Sequence, residues 1–513
     1  MAINAVGREI PEEIKGVGEL NPYQGAFKTV PTGNKMSPNI SMQKRGETKV
    51  LNSLEEAIKK VGVRNGMTIS FHHHLRNGDY VVAMVLDTLS NLGIKNITIA
   101  PTALFPAHKS IIKHIKSGVV TAIQGSVNGP IGRIASEGVF DVPVILRSHG
   151  GRARAIESGD LPIDVAFIAA PTADIYGNIN GVKGPSACGS LGYIVADAMY
   201  ADKVVAITDN LVDYPVAPIS IPQIYVDYVV KVNKIGDPKG IVSGTLEITR
   251  DPLRLLIAER AASVIEASGL LRNGFSFQTG AGGISLAVAY HIRKIMKQHS
   301  IVGSFGSGGI TAYFVRMLEE KLFRVLLDVQ SFDIEAVKSL IRNPNHLEMS
   351  ASFYANPHNK GCAVNNLDII ILGATQIDTD FNVNVNTESD GVLLHGIGGH
   401  MDTAAGAKLT IIVTPLLRGR IPIVVDKVIT ITTPGETIDV LVTERGIAVN
   451  PNRKDLLQRL KKTRLPLVNI EDLKKEAEKM TGKPEVPQFE NKIIGLVEYR
   501  DGTIIDVIRQ VRK

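Results

Sequence analysis

The stretches 164-DVAFIAAPTADIYGNIN-180 and 368-DIIILGATQIDTDFNVN-384 decide the fold. They align without a gap at a separation of 368 − 164 = 204 residues, which sets Asp164, Ala170, Asp174 and Asn178 on Asp368, Ala374, Asp378 and Asn382. Upstream, 62-GVRNGMTISF matches 270-LLRNGFSFQT, with Asn65–Gly66 against Asn273–Gly274 and an offset of 273 − 65 = 208. Between them 119-VVTAIQGSV resembles 323-FRVLLDVQS; downstream 203-KVVAI pairs with 408-KLTII, and 226-VDYVVKVNKIGD with 425-VDKVITITTPGE. Matches in the same order along the chain indicate two homologous halves, with convergent αβ patterning as the competing explanation.

Each half alternates β-rich runs with helical patterns. In the first, 52-NSLEEAIKKVG and 79-DYVVAMVLDTLSNLG read as helices, while 67-MTISF and 96-NITIA read as strands. The second repeats this order from 253-LRLLIAERAASVIEASG onward. The strand runs are continuously apolar, so both sheet faces must be covered, as in parallel α/β layers. The expected fold is therefore α/β, with two parallel-sheet domains in tandem. We divide the chain into an N-terminal extension (1–44), a first domain (45–248), a second domain (249–450) and a C-terminal region (451–513), with the central boundary near 246–252. The last region is expected to form helices and a β-hairpin turning at Asp501–Gly502, packed on the second domain.

Composition bounds the function. The 513 residues are 44% hydrophobic and 21% charged, enough apolar material for proper cores and against a mostly disordered chain. A net charge of +6 suits anionic ligands and is too small for nucleic acid without a localised basic stripe. Two cysteines, Cys188 and Cys362, cannot build a disulfide scaffold and suit a reducing compartment. The opening MAINAVGREIPEEIKG lacks a signal-peptide core, and no apolar run has membrane-spanning length. A soluble, cytoplasmic protein is expected, with no nucleic-acid or membrane partner.

Chemistry is expected at the strand ends. In 278-QTGAGG a strand gives way to a helix, and Gly280, Ala281, Gly282 and Gly283 place backbone amides and a helix N-terminus beside a ligand. The equivalent place in the first half reads 70-SFHHHLRNGD, carrying His72, His73, His74 and Arg76. Neighbouring side chains on an extended strand alternate faces, so three histidines do not easily converge on one metal ion. An anion- or carbonyl-binding site is preferred, with structural hydrogen bonding as the alternative, and no metal is expected. In 147-RSHGGRAR, Arg147, His149, Arg152 and Arg154 surround two glycines. This pattern suits a polycarboxylate or phosphorylated ligand, or a solvated basic loop. The segment 394-LHGIGGHMDTAAGAK packs Gly396, Ile397, Gly398 and Gly399 before Asp402, which implies close backbone approach near a ligand or domain seam. Walker, nucleophile-elbow, zinc-cluster and HExxH patterns are absent from the sequence.

Together, 70-SFHHHLRNGD, 126-SVNGPIG, 147-RSHGGRAR, 278-QTGAGG, 303-GSFGSGG and 394-LHGIGGHMDTAAGAK make the chain resemble the citrate lyase alpha subunit family, from about residue 20 to the C-terminus. That family is similar to the CoA-transferase superfamily, in which two related α/β domains face one another across the active site. The resemblance implies a citrate:acetyl-carrier transferase, acting on the phosphopantetheine-type prosthetic group of an acyl carrier subunit, or on CoA. No cofactor is then held covalently by this chain. Its partners would be the carrier and citryl lyase subunits, with citrate and acetate as small molecules, in an oligomer. Covalent CoA-transferases present a glutamate in a Ser-Glu-Asn-Gly segment; here the matching 303-GSFGSGG carries Phe305 after Ser304. This departure favours direct attack by the acceptor carboxylate, with Glu388 and Glu444 as the carboxylates to watch.

On this resemblance, catalysis is assigned to amides around Gly280–Gly283 and to Gly306, Ser307 and Gly308. The substrate is assigned to His72, His73, His74, Arg76, Arg147, His149 and Arg152, and the carrier arm or CoA to Gly396–Gly399. Loss of one oxyanion donor would cost about 3 kcal/mol. The competing activities are transfer to citramalate, transfer from free CoA, and the carrier transferase of a malonate decarboxylase. The non-enzyme alternative is a carboxylate-sensing or scaffolding protein.

Overall fold

The duplicated stretches become matching strands, Val165–Ala170 and Ile369–Leu372, each inside a largely parallel sheet. In this computed structural model residues 1–31, 33, 35–38, 40–242, 248–280 and 282–512 are described. The first sheet runs Val50–Leu51, Tyr228–Lys231, Lys203–Thr208, Val165–Ala170, Thr68–Phe71, Ile97–Pro101, Val120–Ile123. The second contains, in the same spatial order, Val440–Val442, Leu409–Val413, Ile369–Leu372, Ser276–Thr279, Gly303–Ile310 and Phe323–Ser331. His346–Glu348 and the antiparallel Ile447–Val449 extend its two edges.

Register is duplicated too. Ile69 lies opposite Val165 and Phe277 opposite Ile369, which reproduces the sequence offsets of 277 − 69 = 208 and 369 − 165 = 204. The repeated polar residues fix this geometry. Asp164 accepts from the Thr68 amide at 2.7 Å and Asp368 from the Ser276 amide at 2.9 Å, so each aspartate pins its strand to its neighbour. Asp174 and Asp378 each accept from the amides two and four residues on, an Asx-type turn that leads into a small mixed sheet.

One sequence match misleads. The strand that occupies the place of Tyr228–Lys231 is Val440–Val442, and 425-VDKV leads out of Val424–Val425 in the small sheet instead. The aspartate equivalent to Asp227 is Asp439: they accept from the Val204 and Thr410 amides at 2.8 and 2.7 Å. Two β-patterned segments with a Val-Asp start look alike in sequence and diverge in space.

Burial explains the unbroken apolar runs. Ile369 and Ile371 enter a core with the helices Pro252–Ser268 and Gly283–Gln298, while Ile370 and Leu372 enter a second core on the opposite face. Residues 243–247, which cover part of the expected domain boundary, lie outside the described residues; Asp251 then caps the next helix by accepting from the Leu253 amide. No helix among the described residues is long and apolar enough to cross a membrane.

The C-terminal region divides its allegiance. Helices Lys454–Leu460 and Ile470–Thr481 bury Leu456, Leu460, Ile470 and Leu473 in the second-half cores. The expected hairpin is present, Phe489–Glu498 with Ile504–Val511, and it touches both halves: in the second, Asp506 accepts from the Ile431 amide at 2.7 Å and Arg500 donates to the Ala355 carbonyl at 2.9 Å. It adds in parallel to Val144–Leu146 of the first half. Its Val497, Tyr499 and Ile505 are apolar contacts of the first-half core, and its Glu498 pairs with Arg147 and Arg154. The N-terminal extension is knit into the same hairpin: the Tyr23 amide donates to the Ile504 carbonyl at 3.0 Å and Asn4 to the Ile505 carbonyl at 2.7 Å.

Candidate active site at the seam of the two halves

A cleft of about 610 Å³ opens where the strand ends of the two sheets meet, a size suited to a small ligand and part of a cofactor arm. The first half contributes His73, Arg76, Phe105, Asn128, His149 and Tyr193; the second contributes Gln278, Gly280, Gln330, Phe332, Tyr354 and the 395–400 segment. Ligand sites beyond the C-terminal ends of parallel strands follow from the open space left there between loops and helix N-termini.

Arg76 is the most unusual residue in the cleft. Its φ of +52° lies in the left-handed region, which costs a non-glycine residue strain, and the guanidinium is buried. Nε and Nη1 have no hydrogen-bond partner, and no carboxylate pairs with it among the described residues. Phe105 and Phe332 hold it between their rings, 5.3 and 4.6 Å from the guanidinium carbon. Burial lowers its pKa, while the neighbouring Tyr193 pulls the other way. A buried unpaired cation is costly unless an anion completes it.

The three histidines do not act together. His72 Nε2 accepts from the Ala169 amide at 3.0 Å and His74 Nε2 from the Tyr193 amide at 3.2 Å, with the two Nδ1 atoms in contact. These two rings brace the loop. His73 contacts Thr102 through Nδ1 and alone of the three lines the cleft. It stacks with Tyr193 and His149, at centroid distances of 4.7 and 5.6 Å. Burial pushes His73 and His74 well below the ordinary imidazole value, His72 to about 4 and His149 to about 3, so the cluster is neutral at pH 7. No group of three His, Cys, Asp or Glu among the described residues has metal-holding geometry.

The segment 147-RSHGGRAR becomes a helix entry, not a basic loop. Ser148 caps helix His149–Ser158, and Asp402 of the second half accepts from both Ser148 Oγ at 2.8 Å and the Gly150 amide at 2.9 Å. A carboxylate of the protein thus occupies the anion position. A Cβ on Gly150 would stand 2.1 Å from the Ala355 carbonyl oxygen, so only glycine permits this seam. Arg152 is paired bidentately with Asp197, and Arg147 with Glu498 and Gln124; neither lines the cleft. Of the arginines assigned to substrate, Arg76 alone is left unpaired.

The glycine segments separate similarly. Gly280 lines the cleft, but its amide donates to the Ile371 carbonyl at 2.8 Å, and the Gly282 amide to the Gly280 carbonyl at 3.1 Å. Ala281 lies outside the described residues, and Gly283 heads its helix away from the cleft lining. Gly306 and Ser307 lie within strand Gly303–Ile310, where Gly306 faces Phe277 and Leu326 across the ladder. Ser307 donates to Gln278 Oε1 at 2.9 Å, and Gly308, at φ +95°, lets the Gln278 side chain pass. Gly396, Ile397, Gly398 and Gly399 all line the cleft, with the Gly396 amide held by Asn128 Oδ1 at 3.1 Å.

The chain has relatives in both sequence and fold. The family described as citrate lyase, alpha subunit, matches residues 47–511. The chain belongs to that family. A citrate lyase alpha chain from Haemophilus influenzae is 50% identical over 490 residues, covering 95% of this chain and 97% of its own. A solved Streptococcus mutans structure, described as an alpha subunit of citrate lyase in complex with citrate, superposes with a TM-score of 0.96 at 50% identity, covering 99% of this chain and 100% of that one. A Pseudomonas malonate decarboxylase hetero-tetramer in complex with malonate shares the fold alone, at a TM-score of 0.63 and 16% identity over 80% of this chain and 82% of that one. The tandem α/β fold read from the sequence stands with them.

Within this member of the family, the other carboxylates of interest lie elsewhere. Phe305 faces Ser276 and Val325 and packs on a second-half core. Glu388 contacts His395 Nε2 at 3.3 Å, and Glu444 accepts from the Leu416 amide at 2.9 Å; neither lines the cleft. Sequence reasoning missed Tyr193, Tyr354 and Gln330. No motif surrounds them, and folding alone brings them to the seam. Gln278 and Asn128 stand inside quoted segments, but as polar residues among glycines they drew no notice.

Proposed function

We propose that the chain is the citrate:acetyl-carrier transferase of a citrate lyase, exchanging acetyl for citryl on the thioester of an acyl carrier subunit. The single observation that carries this reading is Arg76, a buried guanidinium with free donors at a cleft large enough for a tricarboxylate. Family membership and the citrate-containing relative support it. Arginine's fork suits a carboxylate bidentately, and His73 and Asn128 border the same space.

The chemistry needs no acyl-enzyme. A citrate carboxylate oxygen attacks the acetyl thioester carbon, and collapse of the tetrahedral intermediate expels the carrier thiolate and leaves an acetyl–citryl anhydride. The thiolate then attacks the citryl carbonyl and acetate departs, giving citryl-carrier. The nucleophiles are already ionised, so no strong base is required. The reading favours this direct route because no carboxylate or thiol lines the cleft among the described residues. Gly396–Gly399 and the exposed Arg418 border the side by which the carrier arm enters. The carrier and citryl lyase subunits are the proposed partners, in an oligomeric complex in the cytoplasm; both cysteines are free and buried, as a reducing compartment allows.

The test is mass spectrometry of the intact chain incubated with acetyl-carrier. Without citrate, no side chain should gain acetyl or carrier mass. With citrate, acetate and citryl-carrier should form together. An enzyme adduct formed and consumed at the catalytic rate would replace the direct route by a ping-pong one.

A further inference from the structure

We infer that the donors to the oxyanion in this exchange are two tyrosine hydroxyls, Tyr193 from the first half and Tyr354 from the second, and not the glycine amides. The inference rests on the proposed acyl exchange and names the groups that stabilise its charge. Each tetrahedral step needs donors aimed at one oxygen. As the incoming carboxylate oxygen bonds to the thioester carbon, the carbonyl π pair moves to oxygen; it returns when the C–S bond breaks and its pair leaves on sulfur. The donor protons stay on their own groups throughout. The amides expected to do this are spent at Gly280 and Gly282, on the Ile371 and Gly280 carbonyls.

Tyr193 has what those amides lack. Its ring is fixed by stacking on His149, His73 and His74 at 4.3, 4.7 and 5.4 Å, and its amide is held by His74. The residue is only 4% exposed, yet its hydroxyl makes no hydrogen bond among the described residues and borders the cleft. A hydroxyl open to the cleft and not committed to a protein acceptor is free to donate to a bound oxygen.

Tyr354 is prepared differently. Its hydroxyl accepts from Gln278 Nε2 at 2.7 Å, and the Gln278 oxygen accepts from Ser307 at 2.9 Å. With that lone pair engaged, the phenolic proton has no acceptor among the described residues, and Tyr354 lines the cleft where a bound oxygen could take it. The hydroxyl also lies 2.8 Å from where a Cβ on Gly399 would stand, so the 394–400 segment leaves it room. Burial raises the pKa of both phenols, and Tyr354 opposes ionisation of Tyr193, so both remain donors across the working pH range. The Arg76 guanidinium, which favours ionisation of Tyr193, supplies positive charge beside it.

Tyr193→Phe and Tyr354→Phe are tested in the full chain with acetyl-carrier and citrate. Each should lower kcat about a hundredfold to a thousandfold while the KM for citrate stays within about threefold. A second readout is the infrared carbonyl stretch of a ketone analogue of the acetylated arm, with CH2 in place of sulfur, bound to the chain. It should be red-shifted in the wild type and move back toward the free value in each variant. If a variant is misfolded by circular dichroism, 2,3-difluorotyrosine at the same position keeps the hydroxyl as a stronger donor and should deepen the shift. Unchanged kcat and an unchanged carbonyl frequency in both Phe variants, with the wild type exchanging acetyl for citryl normally, would overturn the tyrosine assignment. A wild type that produces no citryl-carrier would instead overturn the acyl-exchange reading.

Discussion

The two halves share strand order, register and the aspartates that pin their strands, but they end those strands in opposite ways. After Thr68–Phe71 the first half places histidines and Arg76; after Ser276–Thr279 the second places glycines. Hydrogen bonds in the first-half loop hold a stack of neutral rings against the cleft, and the unpaired Arg76 cation lies between Phe105 and the second-half Phe332. The second half supplies space, through Gly280, Gly373 and Gly396–Gly399, and an exposed Arg418 at the rim. Duplication preserved the frame, while divergence at the strand ends made one wall cationic and aromatic and the other glycine-lined.

The sharpest way to break that contrast is to exchange the two arginines' fates. Arg76→Gln removes charge-assisted bonds worth about 1.5–3 kcal/mol each, so citrate kcat/KM should fall about a hundredfold or more in an acetate-release assay. Arg418→Gln, whose exposed guanidinium reaches only the Ala374 carbonyl among the described residues, at 3.2 Å, should cost less than about fivefold. Equal losses would erase the division between the walls. Next in size is the seam itself. Asp402→Asn removes the charge that caps a first-half helix from the second half, and urea unfolding should show a loss of about 3 kcal/mol.

Acid should then distinguish the halves. Four of the strongly depressed histidines, His72, His73, His74 and His149, lie in the first half, and His400, at about 4, in the second. Their folded-state pKa values lie below the unfolded value near 6.5, so the unfolded chain binds more protons below that pH. Stability is therefore full above about pH 6.5 and declines as pH falls toward about 4. Hydrogen exchange at pH 5 against pH 7 should show greater opening of Thr68–Phe71 than of Ser276–Thr279. The smallest effect is expected at Gly280→Ala, where the nearest atom to a new Cβ is 3.4 Å away; the loss by thermal unfolding should stay under about 1 kcal/mol. Gly150→Ala, in contrast, meets backbone and should exceed it clearly.

Legibility followed locality. The repeat was readable because strand pinning by Asp164 and Asp368 and the Asx turns at Asp174 and Asp378 are local devices with local sequence patterns. The hairpin at Asp501–Gly502 was readable for the same reason, but its partner strand, Val144–Leu146, lies over three hundred residues away and was not. Arginine content misled at 147-RSHGGRAR because neutralising partners come from distant segments: Glu498 for Arg147, Asp197 for Arg152. Tyr193 and Tyr354 reach the seam only through the packing of the halves, so no spacing in the chain announces them.

The central claim, that citrate is held at the seam by Arg76, is tested most directly by a crystal structure of this protein grown with citrate. The account predicts a citrate carboxylate within hydrogen-bond distance of Arg76 Nε and Nη1, between the Phe105 and Phe332 rings and the 395–400 segment. Citrate bound at Arg147 or Arg152, with their pairs to Glu498 and Asp197 broken and Arg76 untouched, would contradict it.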